Sequence, residues 1–592
     1  MSARLRTPKL CSSVFKPVPP RIRPRPWPST TPPSRGIASK TILADCNPEP
    51  FYASSSQRWL WNEPSQLARR YVRFNLDALV QIAEEAAGQN AVCVNVTKLQ
   101  EGNFNKVFLA SMQDGREVVL KIPNPNAGMA HYTTASEVAT MQYVREKLNI
   151  PVPKVLGYCS RASGSSLGAE YIVMERAPGV ELARVWDQFK GREKVAIVKQ
   201  VAAITCKLAR ARFQANGALY KREDVAAAES IAIDEHFAIG PTVGRSWFDD
   251  RRGEVDVHRG PWDSAESLMK ALAHREVACL HKFDKFPQDT QQGIFNGPRG
   301  YHPTKEAKLS VLDDFLKVLP YIIPRVWKHT EIETETKISS GILWHNDLHA
   351  ENIFVDETNP SKITSIIDWQ AVPISPLFLT AHHPSLIEYD GPQLEGFTKP
   401  VLPSNLDTLN PEAKKAAKQL FLAQSLWLTY EIEVQRNAPQ LLRVFRYRET
   451  LPGQILGLIG SIFDDGEPYV QSVLAEIAQG RTWKQTIADN AEEAGQQPSV
   501  ADCPLQYSER ELADQQKQLQ KWSRDIERKA QVLDEIGAYT GWNGAVPLSD
   551  YEEVGGRLEA AKVRFLEREA RDENEKKAWE AVWPFQDTPG CS

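Results

Sequence analysis

The sequence of 592 residues lacks the features that would assign it to a membrane or to a disulfide-rich class. Its longest apolar runs, SLWLTY (425–430) and ILGLIGSIF (455–463), are far shorter than the roughly 20 residues of a membrane-spanning helix. The eight cysteines are scattered and form no CxxC pair, so neither a disulfide framework nor a structural zinc site is indicated, and a reducing compartment is favoured. The composition is ordinary for a globular protein, with 42% hydrophobic and 25% charged residues.

Acidic residues are absent from the first 44 positions, which carry nine Lys or Arg. Removing those nine charges from the net charge of −4 leaves −13 for the remainder. A basic, acid-free N-terminus that contains Ser and Thr is typical of an organelle transit peptide, so we expect a mitochondrial protein cleaved near RGIAS (35–39). The nine prolines of residues 1–40 favour the alternative of a disordered basic tail. Because phosphate binding needs a basic surface, the acidic remainder argues against nucleic acid as a partner.

A small antiparallel lobe is predicted from three strand-like segments, a helix and two extended segments. The strand-like segments are 92–100, 106–112 and 116–123. Asp114-Gly115 precedes the third segment and is a strong hairpin signal. The helix is predicted over 134–148, where apolar residues recur at helical spacing, and the extended segments are 150–158 and 171–179. The sequence is then mainly helical from residue 187 to about 208 and again from 411 to 479.

Five polar residues in this order supply what phosphoryl transfer from a nucleotide requires. Lys121 on the third strand can neutralise the donor's phosphates, and Glu137 on the helix can hold that lysine in place. In HNDLHAENIF, Asp347 can accept the proton of an acceptor hydroxyl. Asn352 and the later Asp368 can supply oxygen ligands for Mg²⁺.

The order and spacing of these residues resemble the aminoglycoside phosphotransferase and choline kinase-like family, a branch of the protein kinase-like fold. The HxDxxxxN motif of that family corresponds to His345, Asp347 and Asn352, and its IDW motif to residues 367–369. The resemblance covers roughly residues 95–480. It implies an α+β, bilobal fold with a small antiparallel β lobe and a large helical lobe, and it implies ATP and Mg²⁺ as cofactors.

The resemblance also implies further contacts with the nucleotide. The segment after Met174 would bind adenine through the backbone of Glu175 and Ala177. Gly102 in the turn EGNFNK would cover the phosphates, although protein kinases have three glycines there and this turn offers fewer freely placed N–H groups. Position 346 is Asn where protein kinases have Arg, so we expect no control by a phosphorylated activation loop.

The histidines in and near the motif are not assigned to the transfer of phosphate. His345 is expected to hydrogen-bond to the backbone behind the catalytic loop. A hydrolase with His345, Asp347 and His349 as metal ligands is the alternative, but it leaves the lysine-bearing lobe without a role. His382 and His383 lie in a predicted loop and have no evident partner in the sequence.

Five regions are predicted along the chain. They are a transit peptide at 1–44, an N-terminal helical extension at 45–91, a small nucleotide-binding lobe at 92–179, a large catalytic lobe at 180–500 with an acceptor-binding insert at 222–305, and a C-terminal helical extension at 501–592. The insert is expected to determine which acceptor is used.

The C-terminal extension begins with a capping-box pattern at Ser508 and Glu511. The following helix is expected to stop at Gly537. Its apolar stripe is too narrow for a coiled coil, so we expect it to pack on its own large lobe. Ser549 and Glu552 repeat the capping pattern before a last charged helix.

We therefore expect a mitochondrial small-molecule kinase that transfers the ATP γ-phosphate to a hydroxyl of an acceptor that the sequence does not identify. The alternative is a catalytically weak kinase-like binding or scaffold protein, for which the C-terminal helices would form the surface for a protein partner. The complete set of Asp347, Asn352 and Asp368 favours the kinase, whereas the glycine-poor turn leaves room for the alternative.

Overall fold

A computed structural model describes residues 47–287, 295–324, 341–493, 502–539 and 541–587. The predicted transit peptide lies outside the described residues. No helix in the described ranges is both long and apolar enough to cross a membrane.

The first described segment packs against the small lobe. Its elements are α1 (Glu49–Tyr52), β1 (Gln57–Trp59), α2 (Glu63–Ala68) and α3 (Leu76–Ala87). Asn75 caps α3, because its side chain accepts hydrogen bonds from two backbone N–H groups of the first turn. Phe51, Tyr52 and Phe74 are buried in one core with Phe108 of the small lobe. The extension that the sequence predicted as helical therefore contains one strand.

The small lobe is the five-stranded antiparallel sheet with one helix that the sequence predicted. Its elements are β2 (Cys93–Lys98), β3 (Asn105–Met112), β4 (Glu117–Pro123), α4 (Tyr132–Glu146), β5 (Val155–Cys159) and β6 (Tyr171–Glu175). The strand order is β2-β3-β4-β6-β5. On α4 the predicted apolar face is buried at Val138, Met141 and Val144, in one core with residues of both lobes.

The large lobe is mainly helical but also contains short strands. Its elements are β7 (Val180–Glu181), α5 (Leu182–Val185), α6 (Gly191–Arg210), β8 (Arg212–Phe213), β9 (Gly217–Lys221), β10 (Ile231–Ala232), β11 (Phe237–Gly240), α7 (Ala265–Lys282), α8 (Lys305–Ile322), β12 (Gly341–Leu343), β13 (Ile353–Val355), β14 (Ile363–Ile366), β15 (Pro373–Pro376), α9 (Leu377–Thr380), α10 (Pro411–Asn437), α11 (Gln440–Glu449), α12 (Leu451–Leu458), α13 (Glu467–Ala478) and α14 (Gly480–Glu493).

Two sheets of short strands support the loops of the large lobe. One has the order β14-β13-β7, and the other has the order β10-β11-β9-β15-β12-β8. The loop between β12 and β13 carries the HNDLHAENIF motif, and the loop between β14 and β15 carries Asp368. The two predicted motifs are therefore held by paired strands.

The C-terminal segment consists of α15 (Glu509–Ile536), β16 (Ala545–Pro547), α16 (Tyr551–Glu569) and α17 (Glu573–Ala581). The capping box at Ser508 and Glu511 and the stop at Gly537, which has a φ of 73°, are confirmed. Since α15 packs on α13 and α16, the prediction that it lies along its own chain is also confirmed.

The second capping prediction is wrong. The α16 helix begins at Tyr551, and the hydroxyl of Ser549 donates to the carboxylate of Asp550 rather than capping a backbone N–H group. A single 3-10 turn before the helix displaces Ser549 from the capping position. The expected last helix is also two helices, because the chain leaves helical geometry after Glu569 and is capped again by Asp572.

The two ends of the described chain meet in a small sheet. The β1 strand pairs with β16 in antiparallel register. Trp61 packs edge-on against Trp542, with ring centroids 5.1 Å apart, and lies 5.5 Å from Phe585. The N-terminal segment thus contacts both the small lobe and the C-terminal helices.

Candidate active site

Lys121 lies in the interior of the small lobe's sheet, in register with Val107 of β3 and Ile172 of β6. Its ammonium Nζ lies 2.6 Å from Oε1 of Glu137 on α4 and 2.9 Å from Oδ1 of Asp368. Burial disfavours the ammonium charge, but the two carboxylates outweigh burial and raise the pKa of Lys121 above its usual value. The structure therefore places a permanent cation between the two lobes.

Asp368 combines a strained backbone with a partly open carboxylate. Its φ is 62°, a left-handed conformation that costs a non-glycine residue about 1–3 kcal/mol and is concentrated at functional sites. The Lys121 cation holds the pKa of Asp368 below its usual range, although burial opposes this. The side chain is still 40% exposed. An ionised carboxylate with room for a second positive partner is what a metal ligand requires.

Asp347 lies on the loop between β12 and β13, and its side chain is 68% exposed. Its Oδ2 lies 3.3 Å from Nε2 of His349. Desolvation of the loop would raise the pKa of Asp347, but the neighbouring His349 outweighs it and holds that pKa below the usual range. Asp347 is therefore ionised and accessible to an acceptor molecule.

Asn352 is buried at the end of the same loop. Its Nδ2 donates to the backbone carbonyl of Asp347 at 2.9 Å, so Oδ1 is the side-chain atom that could bind a metal. The backbone carbonyl of Asn352 accepts from the N–H of Ile367 at 3.0 Å and so ties this loop to the one that carries Asp368. An amide oxygen and a carboxylate are ligands that fit Mg²⁺, an ion that takes few protein ligands.

His345 is a structural residue of the loop, as predicted. It is buried, its Nε2 lies 2.9 Å from the backbone carbonyl of Ile367, and its ring packs edge-on against Trp369. Because a carbonyl only accepts hydrogen bonds, Nε2 carries the proton and is not a metal ligand. These contacts count against the alternative of a metal-dependent hydrolase.

The segment predicted to bind adenine follows β6. Glu175 donates its backbone N–H to the carbonyl of Lys154 at 2.9 Å, and its carboxylate accepts from the N–H of Lys154 at 3.0 Å. These two bonds fix the position of the segment. Within the part of the chain that the structure describes, the backbone N–H of the buried Ala177 makes no hydrogen bond, so it can serve a ligand.

Gly102 lies in the turn between β2 and β3. A Cβ added at Gly102 would meet no atom within 4 Å, so there is open space on that side of the turn. Arg245, from the predicted insert, places its guanidinium 3.7 Å from the centre of the Phe104 ring and donates to the carbonyl of Asn126 at 3.1 Å. The insert, which is part of the large lobe, therefore contacts the turn and Asn126 of the small lobe.

Two residues that the sequence analysis did not single out join the turn to the loop of Asp368. The side-chain amides of Asn105 and Gln370 form a reciprocal pair, with both N–H to oxygen distances at 3.0 Å. The position of Gln370, two residues after Asp368, is the one feature of the sequence that could have drawn attention to it. No feature of the sequence indicates Asn105 as its partner.

His382 and His383, for which no partner was evident in the sequence, both have partners in the structure. Nδ1 of His382 lies 3.0 Å from the carbonyl of Thr380. The ring of His383 lies between those of Trp427 and Phe445, with both centroid distances at 4.0 Å. The partners of His383 belong to α10 and α11, which are distant in sequence and could not be inferred from the loop itself.

The strands, helices and ionic contacts described so far form a protein kinase-like bilobal fold with a phosphotransferase type of site. Residues 95–378 match the phosphotransferase enzyme family. This range runs from β2 into α9 and includes all the predicted site residues. This part of the chain, slightly less than half of its length, is therefore similar to the phosphotransferase enzyme family.

Two similar proteins come from fungi and match about two thirds or more of this chain. The subtelomeric hrmA-associated cluster protein of Aspergillus fumigatus is 28% identical over 529 residues, which are 84% of this chain and 98% of that protein. The protein named altered inheritance of mitochondria protein 9, mitochondrial, of Yarrowia lipolytica is 24% identical over 435 residues, which are 68% of this chain and 72% of that protein.

Among solved structures, the streptomycin–ATP–APH(2″)-IIa ternary complex matches with a TM-score of 0.31 and 13% identity, over 66% of this chain and 90% of that one. The assignment of the fold depends on the strand order and helices of this chain rather than on that similarity.

Proposed function

We propose that this protein transfers the γ-phosphate of ATP to a hydroxyl group of a small-molecule acceptor and requires Mg²⁺. The observation that supports the proposal is the contact of Lys121 with both Glu137 and Asp368, at 2.6 and 2.9 Å. Lys121 and Asp368 are 247 positions apart. A cation with a fixed counter-ion, beside an acid that can bind a metal, is the arrangement that nucleotide phosphoryl transfer uses.

Each residue of the site has a role in this proposal. Lys121 neutralises the phosphates of the donor, and Glu137 fixes the lysine. Asp347 orients the acceptor's hydroxyl and takes its proton as that oxygen bonds to the γ-phosphorus and the bond from this phosphorus to the oxygen that leaves with ADP breaks. Asp368 and Asn352 would hold Mg²⁺, which neutralises charge between the β- and γ-phosphates when it is bound.

The remaining assignments concern the nucleotide and the acceptor. The backbone of Glu175 and Ala177 receives the adenine, and the turn that contains Gly102 covers the phosphates. Residues 222–305 select the acceptor, a role that is supported by the contact of Arg245 with the turn. Asp347 faces solvent, so the acceptor can reach it without a rearrangement of the core.

We also propose that the protein acts in mitochondria. The basic, acid-free residues 1–44 and the name of the Yarrowia relative support this location. A fusion of residues 1–50 to a fluorescent reporter tests it. Mitochondrial fluorescence is expected, and diffuse cytoplasmic fluorescence would contradict the location without affecting the assignment as a kinase.

The function itself is tested with purified protein, MgATP and a metabolite extract from cells that lack the gene. We expect ATP to be consumed only when the extract is present, and mass spectrometry to show one new phosphate ester. Binding of MgATP without turnover in any extract would instead support the kinase-like binding or scaffold protein, whose partner surface would be the C-terminal helices.

A further inference from the structure

Glu101 is a buried carboxylate at the base of the phosphate-covering turn, which we define as residues 101–104. Its side chain is 2% exposed. Its Oε1 lies 3.0 Å from Nζ of Lys98 at the end of β2 and accepts from Nζ of Lys106 on β3 at 3.1 Å. Its Oε2 accepts from the backbone N–H of Ser55 at 2.9 Å. One carboxylate therefore joins both strands that flank the turn to a residue outside the sheet.

The same two lysines also hold the N-terminal segment. Nζ of Lys98 donates to the carbonyls of Pro50 and Ala53 at 2.8 and 2.7 Å. Nζ of Lys106 is completely buried and donates to the carbonyl of Arg70 at 2.6 Å. Since these contacts involve backbone carbonyls, they fix the path of the chain and not only side-chain positions.

Contacts continue along the phosphate-covering turn. The hydroxyl of Ser56 donates to the backbone carbonyl of Glu101 at 3.3 Å. The side-chain amide of Gln57 donates to the side-chain oxygen of Asn103 at 3.1 Å. Residues 53–57, which we call the N-terminal brace, thus contact the turn on both sides of Gly102.

The N-terminal brace is itself fixed at both ends. Before it, Phe51 stacks on Phe108 of the small lobe with ring centroids 6.0 Å apart. After it, β1 pairs with β16, and Trp59 is fully buried. A short segment between two such anchors has little freedom, so it can impose its position on the turn that it contacts.

We propose that the N-terminal brace is part of the nucleotide site and that Glu101 is the positioning residue through which it sets the phosphate-covering turn. A turn with one glycine has few N–H groups that can adjust to phosphate. Its backbone must then be held in place from outside, and the brace does this. The inference rests on the proposed function, because nucleotide phosphate is what the turn would cover.

The first test measures amide hydrogen exchange without nucleotide in wild type, Glu101→Gln and Glu117→Gln. Glu117 is the matched control because it is a small-lobe glutamate in a surface ion pair with Arg176. In Glu101→Gln we expect exchange to increase about tenfold or more at both 53–57 and 101–104, since loss of the buried anion frees both segments. Unchanged exchange at 101–104, or an equal change in Glu117→Gln, would overturn the positioning role.

The second test measures the dissociation constant of MgATP and the number of molecules bound per folded protein. We expect Glu101→Gln to raise the constant about tenfold, with the stoichiometry unchanged, because a displaced turn loses about one hydrogen bond to charged phosphate. A purely structural defect would lower the stoichiometry and leave the constant unchanged, which would overturn the inference. If wild type binds no MgATP, the proposed function fails, and the exchange experiment still decides whether the brace positions the turn.

A second variant keeps the buried charges in place and protects the test from a folding defect. Ser55 is exposed, and Ser55→Pro removes the backbone N–H group that donates a hydrogen bond to the carboxylate of Glu101. Ser54→Pro is its control, since the N–H of Ser54 makes no hydrogen bond among the described residues. We expect Ser55→Pro alone to weaken MgATP binding, by about threefold or more for one lost hydrogen bond. Equal affinities of the two variants would contradict the role of the Ser55 contact.

Discussion

Two clusters of buried charge in this molecule have similar chemistry but differ in how exposed a central carboxylate is. Their members are Lys121, Glu137 and Asp368 in the active site and Arg252, Arg275, Glu276 and Asp464 in the large lobe. Glu276 is fully buried and accepts hydrogen bonds at 2.9 Å from the Nε atoms of both Arg252 and Arg275. In the active site, by contrast, the side chain of Asp368 is 40% exposed.

The backbone also distinguishes the two clusters. Glu276 lies within the regular helix α7, whereas Asp368 has a left-handed conformation in a loop. Burial and ion pairing by themselves therefore do not mark a site, because they are found in both clusters. The candidate active site differs from the structural cluster in Asp368. Its carboxylate is partly exposed, and its backbone has an unfavourable left-handed conformation.

The largest expected effect on the active-site side is that of Asp347→Asn. If Asp347 takes the proton of the acceptor, turnover should fall about 10²–10⁴-fold, the usual contribution of a general base. The dissociation constant of MgATP should stay within about twofold, because this side chain contacts the acceptor rather than the nucleotide. Steady-state rates and a binding titration check both expectations. Equal turnover by the variant would remove Asp347 as the base.

The structural cluster predicts the opposite pattern for Glu276→Gln. Two buried guanidinium groups lose their shared anion, so the free energy of unfolding should fall by about 3–5 kcal/mol. The affinity of the folded fraction for MgATP should not change. Denaturant unfolding with a parallel titration measures both quantities. The control is Glu254→Gln, since Glu254 forms an exposed ion pair with Arg251. It should lower the free energy of unfolding by at most about 1 kcal/mol. A decrease as large as that of Glu276→Gln would show that burial of the ion pair is not the cause.

A pH series sharpens the comparison at Asp465, a buried neighbour of the structural cluster. Burial and the nearby Glu467 raise the pKa of Asp465 to about 7. An acid that binds its proton more tightly in the folded state contributes stability below its unfolded pKa of about 3.9, and this contribution is lost as the pH rises toward 7. Asp465→Asn should therefore stabilise the protein more at pH 8 than at pH 5.

The size of that effect has an upper limit. One pKa unit corresponds to about 1.4 kcal/mol, so the difference between the two proteins at pH 8 should be at most about 4 kcal/mol. The amide oxygen of Asn can still accept from Nε1 of Trp522, which the carboxylate does at 2.9 Å. Thermal unfolding at both pH values is the measurement, and a difference that does not depend on pH would show that Asp465 titrates normally.

The smallest expected effect is that of Asp368→Ala on stabilisation by nucleotide. Wild type should gain about 2.7 kcal/mol when MgATP is present at a hundred times its dissociation constant. The variant should lose the part of this gain that depends on Mg²⁺, because a ligand of the metal is removed. Thermal shift with ATP in the presence and absence of Mg²⁺ measures it. Asp313→Ala, on the exposed face of α8, should behave as wild type, and an unchanged Mg²⁺ effect in Asp368→Ala would contradict the assignment.

Several elements could be predicted from the sequence because their signals lie close together along the chain. The hairpin between β3 and β4 follows from Asp114-Gly115, and α4 follows from apolar residues that repeat within one helix. The capping box at Ser508 needs only four consecutive positions. The strands and helix that carry Lys121 and Glu137 were confirmed for the same reason, while the roles of these residues in catalysis stay predictions.

The short strands of the large lobe and the start of α16 could not be predicted, because no pattern of neighbouring residues indicates them. The strands of the six-stranded sheet in the large lobe are two to five residues long, too short to show the alternation by which a strand is identified. Ser549 matches a capping pattern, but it lies in a 3-10 turn instead of capping the helix. Local hydrogen bonds of nearly equal energy compete at helix ends, and the sequence does not show which of them forms.

By itself, the sequence determined which chemical groups the protein carries, in what order, and on which strands, helices and loops. Only the tertiary structure decided which of those groups meet. The brace reaches Glu101 across 46 positions, Asn105 pairs with Gln370 across 265, and β1 pairs with β16 near the other end of the chain. Propensity and periodicity act between residues a few positions apart, whereas the choice of a distant partner depends on how the whole chain packs and which buried polar groups must be satisfied.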